Sequence, residues 1–84
     1  MSALAKQIAL VTGATRGIGA AIAAELKAQG ATVIGTATSQ AGADSITAAG
    51  VQGVVLNVTD GVAVDALIDS IVKEHGGLHI LVNN

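Results

Sequence analysis

Four short aliphatic runs, QIALVT (7–12), TVIGTA (32–37), GVVLNV (53–58) and LHILV (78–82), alternate with three stretches of helical character. Runs of this length rich in β-branched residues and bounded by glycine read as buried strands. Between the first two, Ile18, Ile22 and Leu26 recur every four positions while Glu25, Lys27 and Gln29 fall on the other side, predicting a helix over 17–29 closed by Gly30. A weaker, alanine-rich helix is expected from Ala41 to Ala49, closed by Gly50. The third is the clearest: Val64, Leu67, Ile68, Ile71 and Val72 follow helical spacing. Thr59 or Asp60 can cap it, and Gly76-Gly77 ends it. Asp65 near its start and Lys73 and His75 near its end suit the helix dipole.

Strand and helix therefore alternate as β-α-β-α-β-α-β, with connections long enough for parallel crossovers. Right-handed crossovers lead to an α/β fold with a doubly wound parallel sheet. The 84 residues allow one small domain. Half the chain (51%) is hydrophobic with no Phe, Tyr, Trp, Pro or Cys, so core volume must come from Ala, Val, Ile and Leu. Without cysteine there is neither a disulfide framework nor a thiolate metal site, as suits a reducing cytosol. Four Lys and Arg in a net charge of −2 make a poor footprint for nucleic acid or anionic lipid. Mean hydropathy is high, at +0.67. No apolar run approaches the roughly 18 residues of a spanning helix, however, and the N-terminus does not read as a signal peptide. A soluble, largely interior chain is expected.

The turn between the first strand and first helix reads Thr12-Gly13-Ala14-Thr15-Arg16-Gly17-Ile18-Gly19. A Walker A loop would need a lysine after its last glycine, and none is near. The G-x-G-x-x-G spacing also fails, because Ala20, Ala21 and Ile22 follow Gly19. What stands here is T-G-x-x-x-G-x-G. Gly13 lets the chain turn off the strand, Gly17 lets backbone approach a phosphate, and Gly19 lets the helix pack closely on the sheet. The free N–H groups at the helix start then face an anion. The whole loop, Gly13, Ala14, Thr15, Arg16, Gly17, Ile18 and Gly19, is expected to line a dinucleotide site.

This motif between a first strand and first helix resembles the short-chain dehydrogenase/reductase family. "NV" (57–58) and "NN" (83–84) stand where that family keeps its adenine-side and sheet-end motifs. More narrowly, "ALVTGATRGIG", "VIGTATS" and "LNVTD" resemble the N-terminal third of the 3-oxoacyl-[acyl-carrier-protein] reductases. The resemblance implies a Rossmann-type sheet in strand order 3-2-1-4, of which residues 1–84 form the first portion, the N-terminal part of a single NAD(P)-binding domain. It further implies a cytoplasmic NADPH-dependent ketoreductase of fatty-acid biosynthesis. Its substrate would be a 3-oxoacyl group carried on acyl-carrier protein or CoA, and the full-length protein would be a homotetramer. It also implies adenine contacts from the Asn57 side chain and the Val58 backbone, although many members carry Asp at the first of these positions. Asn84 has a topological argument as well: in strand order 3-2-1-4 the switch point lies beyond the carboxyl ends of strands 1 and 4, where Gly13 and Asn84 stand. The family reading makes Asn84 a contact near the nicotinamide-side ribose.

Sites that prefer NAD commonly carry an acid at the end of the second strand to bind the ribose 2′-OH. Here that region reads Gly35-Thr36-Ala37-Thr38-Ser39, with no acid before Asp44. Thr38 offers a hydroxyl and Arg16 a full positive charge. A charge-assisted hydrogen bond of about 1.5–3 kcal/mol gives roughly ten- to a hundredfold preference for the 2′-phosphate, so NADPH is expected over NADH. Arg16 is otherwise a solvated surface cation.

The family's reaction resembles hydride transfer to a ketone, with a tyrosine acid, a lysine that lowers its pKa, and a serine that positions the carbonyl. This chain has no tyrosine, so no catalytic residue is assigned within it; those residues are expected beyond position 84. No metal site is expected either. His75 and His79 straddle a Gly-Gly turn, reading as a helix-end cation and a strand residue. Asp65, Asp69 and Lys73 read as one solvated helical face. Two alternatives stay open: a short-chain dehydrogenase/reductase of another substrate, and a non-catalytic nucleotide-binding module should the chain end at Asn84.

Overall fold

A computed structural model describes residues 4–15 and 17–83. Its elements are β1 (Ile8–Val11), α1 (Gly17–Ala28), β2 (Thr32–Ala37), α2 (Gln40–Ala48), β3 (Gln52–Val55), α3 (Gly61–His75) and β4 (Ile80–Val82). The four strands form one parallel sheet in order β3-β2-β1-β4, the order expected of the Rossmann-type reading. The chain winds outward from β1 through β2 to β3, then crosses back to place β4 on the other side of β1. That reversal creates a crevice beyond the carboxyl ends of β1 and β4.

Burial on both faces explains the unbroken aliphatic runs of the inner strands. All four residues of β1 are buried, and so are all of β2 after Thr32. One face, under α1 and α2, holds Ala9, Val11, Val33, Ala37, Ile46 and Val51. The other, under α3, holds Ile8, Leu10, Ile34 and Ile71, with Leu67 and Ile68 packed against them.

The helices depart from the sequence pattern in instructive ways. In α1 the buried residues are Gly19 and Ala23, while Ile22 and Leu26 are only partly buried and Ile18 is 72% exposed. Small side chains let this helix lie close to the sheet, so its buried line is set by Gly19 and Ala23 rather than by Ile18. The weak α2 is seated more tightly still. A Cβ on Gly53 of β3 would come 2.0 Å from the Ala43 carbonyl oxygen of α2, and one on Gly35 of β2 would come 3.1 Å from Ile46. These two glycines are paired in register on adjacent strands and form a shallow bed for the helix.

Both later helices begin with a side-chain cap. Ser39 Oγ accepts the N–H of Gly42 (3.1 Å) at α2, and Asp60 Oδ1 accepts that of Ala63 (3.2 Å) at α3. Asp60, and not Thr59, is therefore the α3 cap. Asp65 lies beyond the first turn of α3, which contains no acid, so the charge that meets this helix start is that of Asp60. Lys73 and His75 do occupy the last turn, before Gly76.

Candidate functional site

The site is built where β1 stops. Thr12 N–H donates to the Val82 carbonyl at the end of β4 (3.0 Å), and its hydroxyl lies within reach of that carbonyl (3.4 Å) and of Asn83 Oδ1 (3.3 Å). The chain then breaks away at Gly13, whose φ of 62° is left-handed and strained for any residue with a Cβ. Gly13 N–H donates to Thr36 Oγ1 on β2 (3.3 Å), and Ala14 N–H to the Thr36 carbonyl (2.9 Å). The loop is thus tied on one side to β4 and on the other to β2.

Gly17, the first residue of α1, again has a left-handed φ of 64°. A Cβ there would meet nothing within 4 Å, so the space before the helix start is open. The first turn of α1 carries no acid. Backbone N–H groups unpaired within the helix, the positive end of its dipole and open space together favour an anion.

Beyond the sheet ends runs a groove of about 210 Å³ lined by Gly13, Thr15, Thr36, Thr38, Leu56 and Val58, with Ala37 beside them. Of the sequence-predicted residues, the structure brings Gly13, Thr15, Thr38 and Val58 to this one groove. Ala14 is buried against the core and Gly19 is buried on the sheet-facing side of α1, so neither lines the groove. Asn57 is exposed just past β3. Its Oδ1 accepts both the N–H (3.0 Å) and the hydroxyl (2.6 Å) of Thr59, so that its NH₂ is the group left to donate. Arg16 and Asn84 lie outside the described residues.

Among the described residues no carboxylate lines the groove. The acid nearest in sequence to the end of β2, Asp44, accepts from Gln40 Nε2 on α2 (2.8 Å). Sequence reading assigned no site role to Thr36 and Leu56, which line the groove, and took Asn83, beside Thr12, only as part of the NN motif. Thr36 could have been noticed as the polar residue inside the small and aliphatic run that follows Thr32.

His79 Nδ1 accepts the N–H of Ile8 (2.9 Å) and its own N–H donates back to the Ile8 carbonyl (2.9 Å), fastening β4 to β1 at their amino ends. His75 Nε2 is buried without a hydrogen-bond partner, 3.9 Å from the Glu74 carboxylate. Among the described residues no group of His, Cys, Asp and Glu could hold a metal, and no helix is long and apolar enough to cross a membrane.

A parallel sheet wound 3-2-1-4, with a glycine turn and an anion-ready helix start at its switch point, defines a nucleotide-binding α/β protein of the Rossmann type. The sequence model of the short chain dehydrogenases matches residues 7–84, and the chain belongs to that family. It is 55% identical over 82 residues to the 3-oxoacyl-[acyl-carrier-protein] reductase FabG of Haemophilus influenzae, covering 93% of this chain and 34% of that protein. Against the FabG of Escherichia coli the identity is 53% over 81 residues, covering 93% and 33%. Against that of Pseudomonas aeruginosa it is 50% over 84 residues, covering 93% and 34%. The chain spans about a third of the length of these relatives.

Proposed function

We propose that this chain forms the cofactor-binding front of an NADPH-dependent 3-oxoacyl-[acyl-carrier-protein] reductase. The observation that carries the reading is the groove beyond Gly13, whose described lining includes Thr38, exposed past the end of β2, and no carboxylate; the open, acid-free start of α1 at Gly17 follows in the same loop. When bound, the nicotinamide cofactor supplies a hydride for a ketone. The chain's own residues have the task of holding and orienting it.

In this reading the N–H groups at the start of α1 hold the pyrophosphate, and Gly17 keeps the approach clear. Arg16 and Thr38 meet the 2′-phosphate, which an acid at the end of β2 would repel. Val58 walls the adenine end, Asn57 offers its amide there, and Asn84 serves the nicotinamide-side ribose. The 3-oxoacyl thioester substrate, the cytoplasmic setting and the tetrameric assembly rest on the likeness to the FabG proteins.

The test uses the full-length protein. NADPH is expected to bind at least tenfold tighter than NADH, with Arg16→Ala removing most of that preference. Acetoacetyl thioester is expected to be reduced at the expense of NADPH. Equal affinity for the two cofactors would remove the 2′-phosphate assignment. NADPH binding without turnover of any 3-oxoacyl thioester would assign the protein another substrate.

A further inference from the structure

Thr36 is a polar residue in the most buried stretch of the molecule. Its relative exposure is 1%, and it follows Val33, Ile34 and Gly35 on a strand covered on both faces. A hydroxyl in such a place is costly unless it is hydrogen-bonded, and valine would fill nearly the same volume without that cost. The hydroxyl oxygen accepts the N–H of Gly13 at 3.3 Å. The Thr36 carbonyl accepts the next N–H, that of Ala14, at 2.9 Å. The second bond is made by backbone and any residue could supply it. The first requires a side-chain oxygen, and it falls on the residue whose left-handed φ starts the turn.

We propose that Thr36 is a positioning residue for the cofactor site: its hydroxyl holds Gly13 in the turn and so keeps the N–H groups at the start of α1 aimed at the pyrophosphate. This rests on the dinucleotide reading of the groove. Thr36 does not itself bind the pyrophosphate in this account. It acts through Gly13, and its influence is confined to the loop that follows.

That confinement makes the proposal testable apart from general stability. In the full-length protein, dissociation constants are measured for NADPH and for 2′-AMP, which carries the 2′-phosphate and adenine but no pyrophosphate. Thr36→Val is expected to raise the NADPH constant about three- to tenfold, the value of one neutral hydrogen bond. The 2′-AMP constant should stay within about twofold, and Thr36→Ser, which restores the oxygen, should return NADPH affinity to near the starting value. If Thr36→Val does not fold, Thr36→Cys makes the same comparison with a side chain of similar size and a poor acceptor. Parallel weakening of both ligands, unchanged NADPH affinity in the Val or Cys variant, or failure of Ser to rescue would overturn the positioning role while leaving the cofactor reading intact. Absence of NADPH binding in the unaltered protein would instead overturn the cofactor reading, and this proposal with it.

Discussion

At the scale of single residues, Gly17 combines two demands that no other side chain meets. Its φ of 64° is left-handed, and the space a Cβ would enter is open. In the fold alone, Gly17→Ala therefore pays only for conformation, about 1–2 kcal/mol, because nothing is struck. With the cofactor bound, the same methyl stands where a phosphate is proposed to lie. Urea unfolding should record the small loss and NADPH titration at least a tenfold loss of affinity; equal small losses in both would leave the loop a mere turn. His79 shows the opposite kind of residue. His79→Ala deprives the Ile8 N–H of its acceptor and should cost about 1 kcal/mol in urea unfolding, with little change in cofactor affinity. Gly17 was legible in the sequence because its role depends on neighbours in the same loop. His79 and Thr36 were not, because their partners lie 71 and 23 positions away and only the strand register brings them together.

At the scale of elements, spacing of apolar residues revealed the strands and α3 more faithfully than it revealed how α1 and α2 pack. Periodicity reports which residues are apolar, whereas these helices are placed by what is absent. Gly19 and Ala23 bring α1 close to the sheet, and Gly35 and Gly53 make room for α2. A glycine in a strand carries no hydropathy signal that distinguishes a bed for a helix from a simple weak point. The bed is directly testable. In Gly53→Ala the new methyl would meet the Ala43 carbonyl, part of a helix backbone that cannot swing aside as a side chain could. The variant should lose about 2–3 kcal/mol, or fail to fold, because α2 must lift from β3 and open the contacts of Ile46 and Val51. Thermal unfolding within one degree of the unaltered protein would mean that α2 is not held at this distance. The Thr47 hydroxyl, which accepts the Gly53 N–H (3.2 Å) and donates to the Ala43 carbonyl (3.0 Å), ties the same contact.

At the scale of the whole molecule, the two faces of the sheet are unequal. Among the described residues, the core under α1 and α2 includes ten buried residues, while the buried cluster under α3 has four, with Ile71 the buried member from the helix. On that thinner side Val62 and Val72 of α3 are exposed, and so is Leu81 of β4 at 56%. Leu81 is paired in register with Leu10, one of the most buried residues in the chain, so the two point to the same face. Among the described residues β4 pairs only with β1, leaving its other edge open. An apolar, unpaired strand edge is a template for pairing with another chain. Produced as a polypeptide by itself, the segment 1–84 should therefore self-associate through β4, with larger oligomers appearing as concentration rises. Leu81→Lys removes the apolar side chain and places a charge on that edge, which should shift the segment toward monomer in sedimentation velocity. It should not weaken the core, since Leu81 is not part of either buried cluster. Unchanged association in Leu81→Lys would move the sticky surface from the β4 edge to the exposed valines of α3, and Val62→Lys and Val72→Lys would then be the variants that restore the monomer.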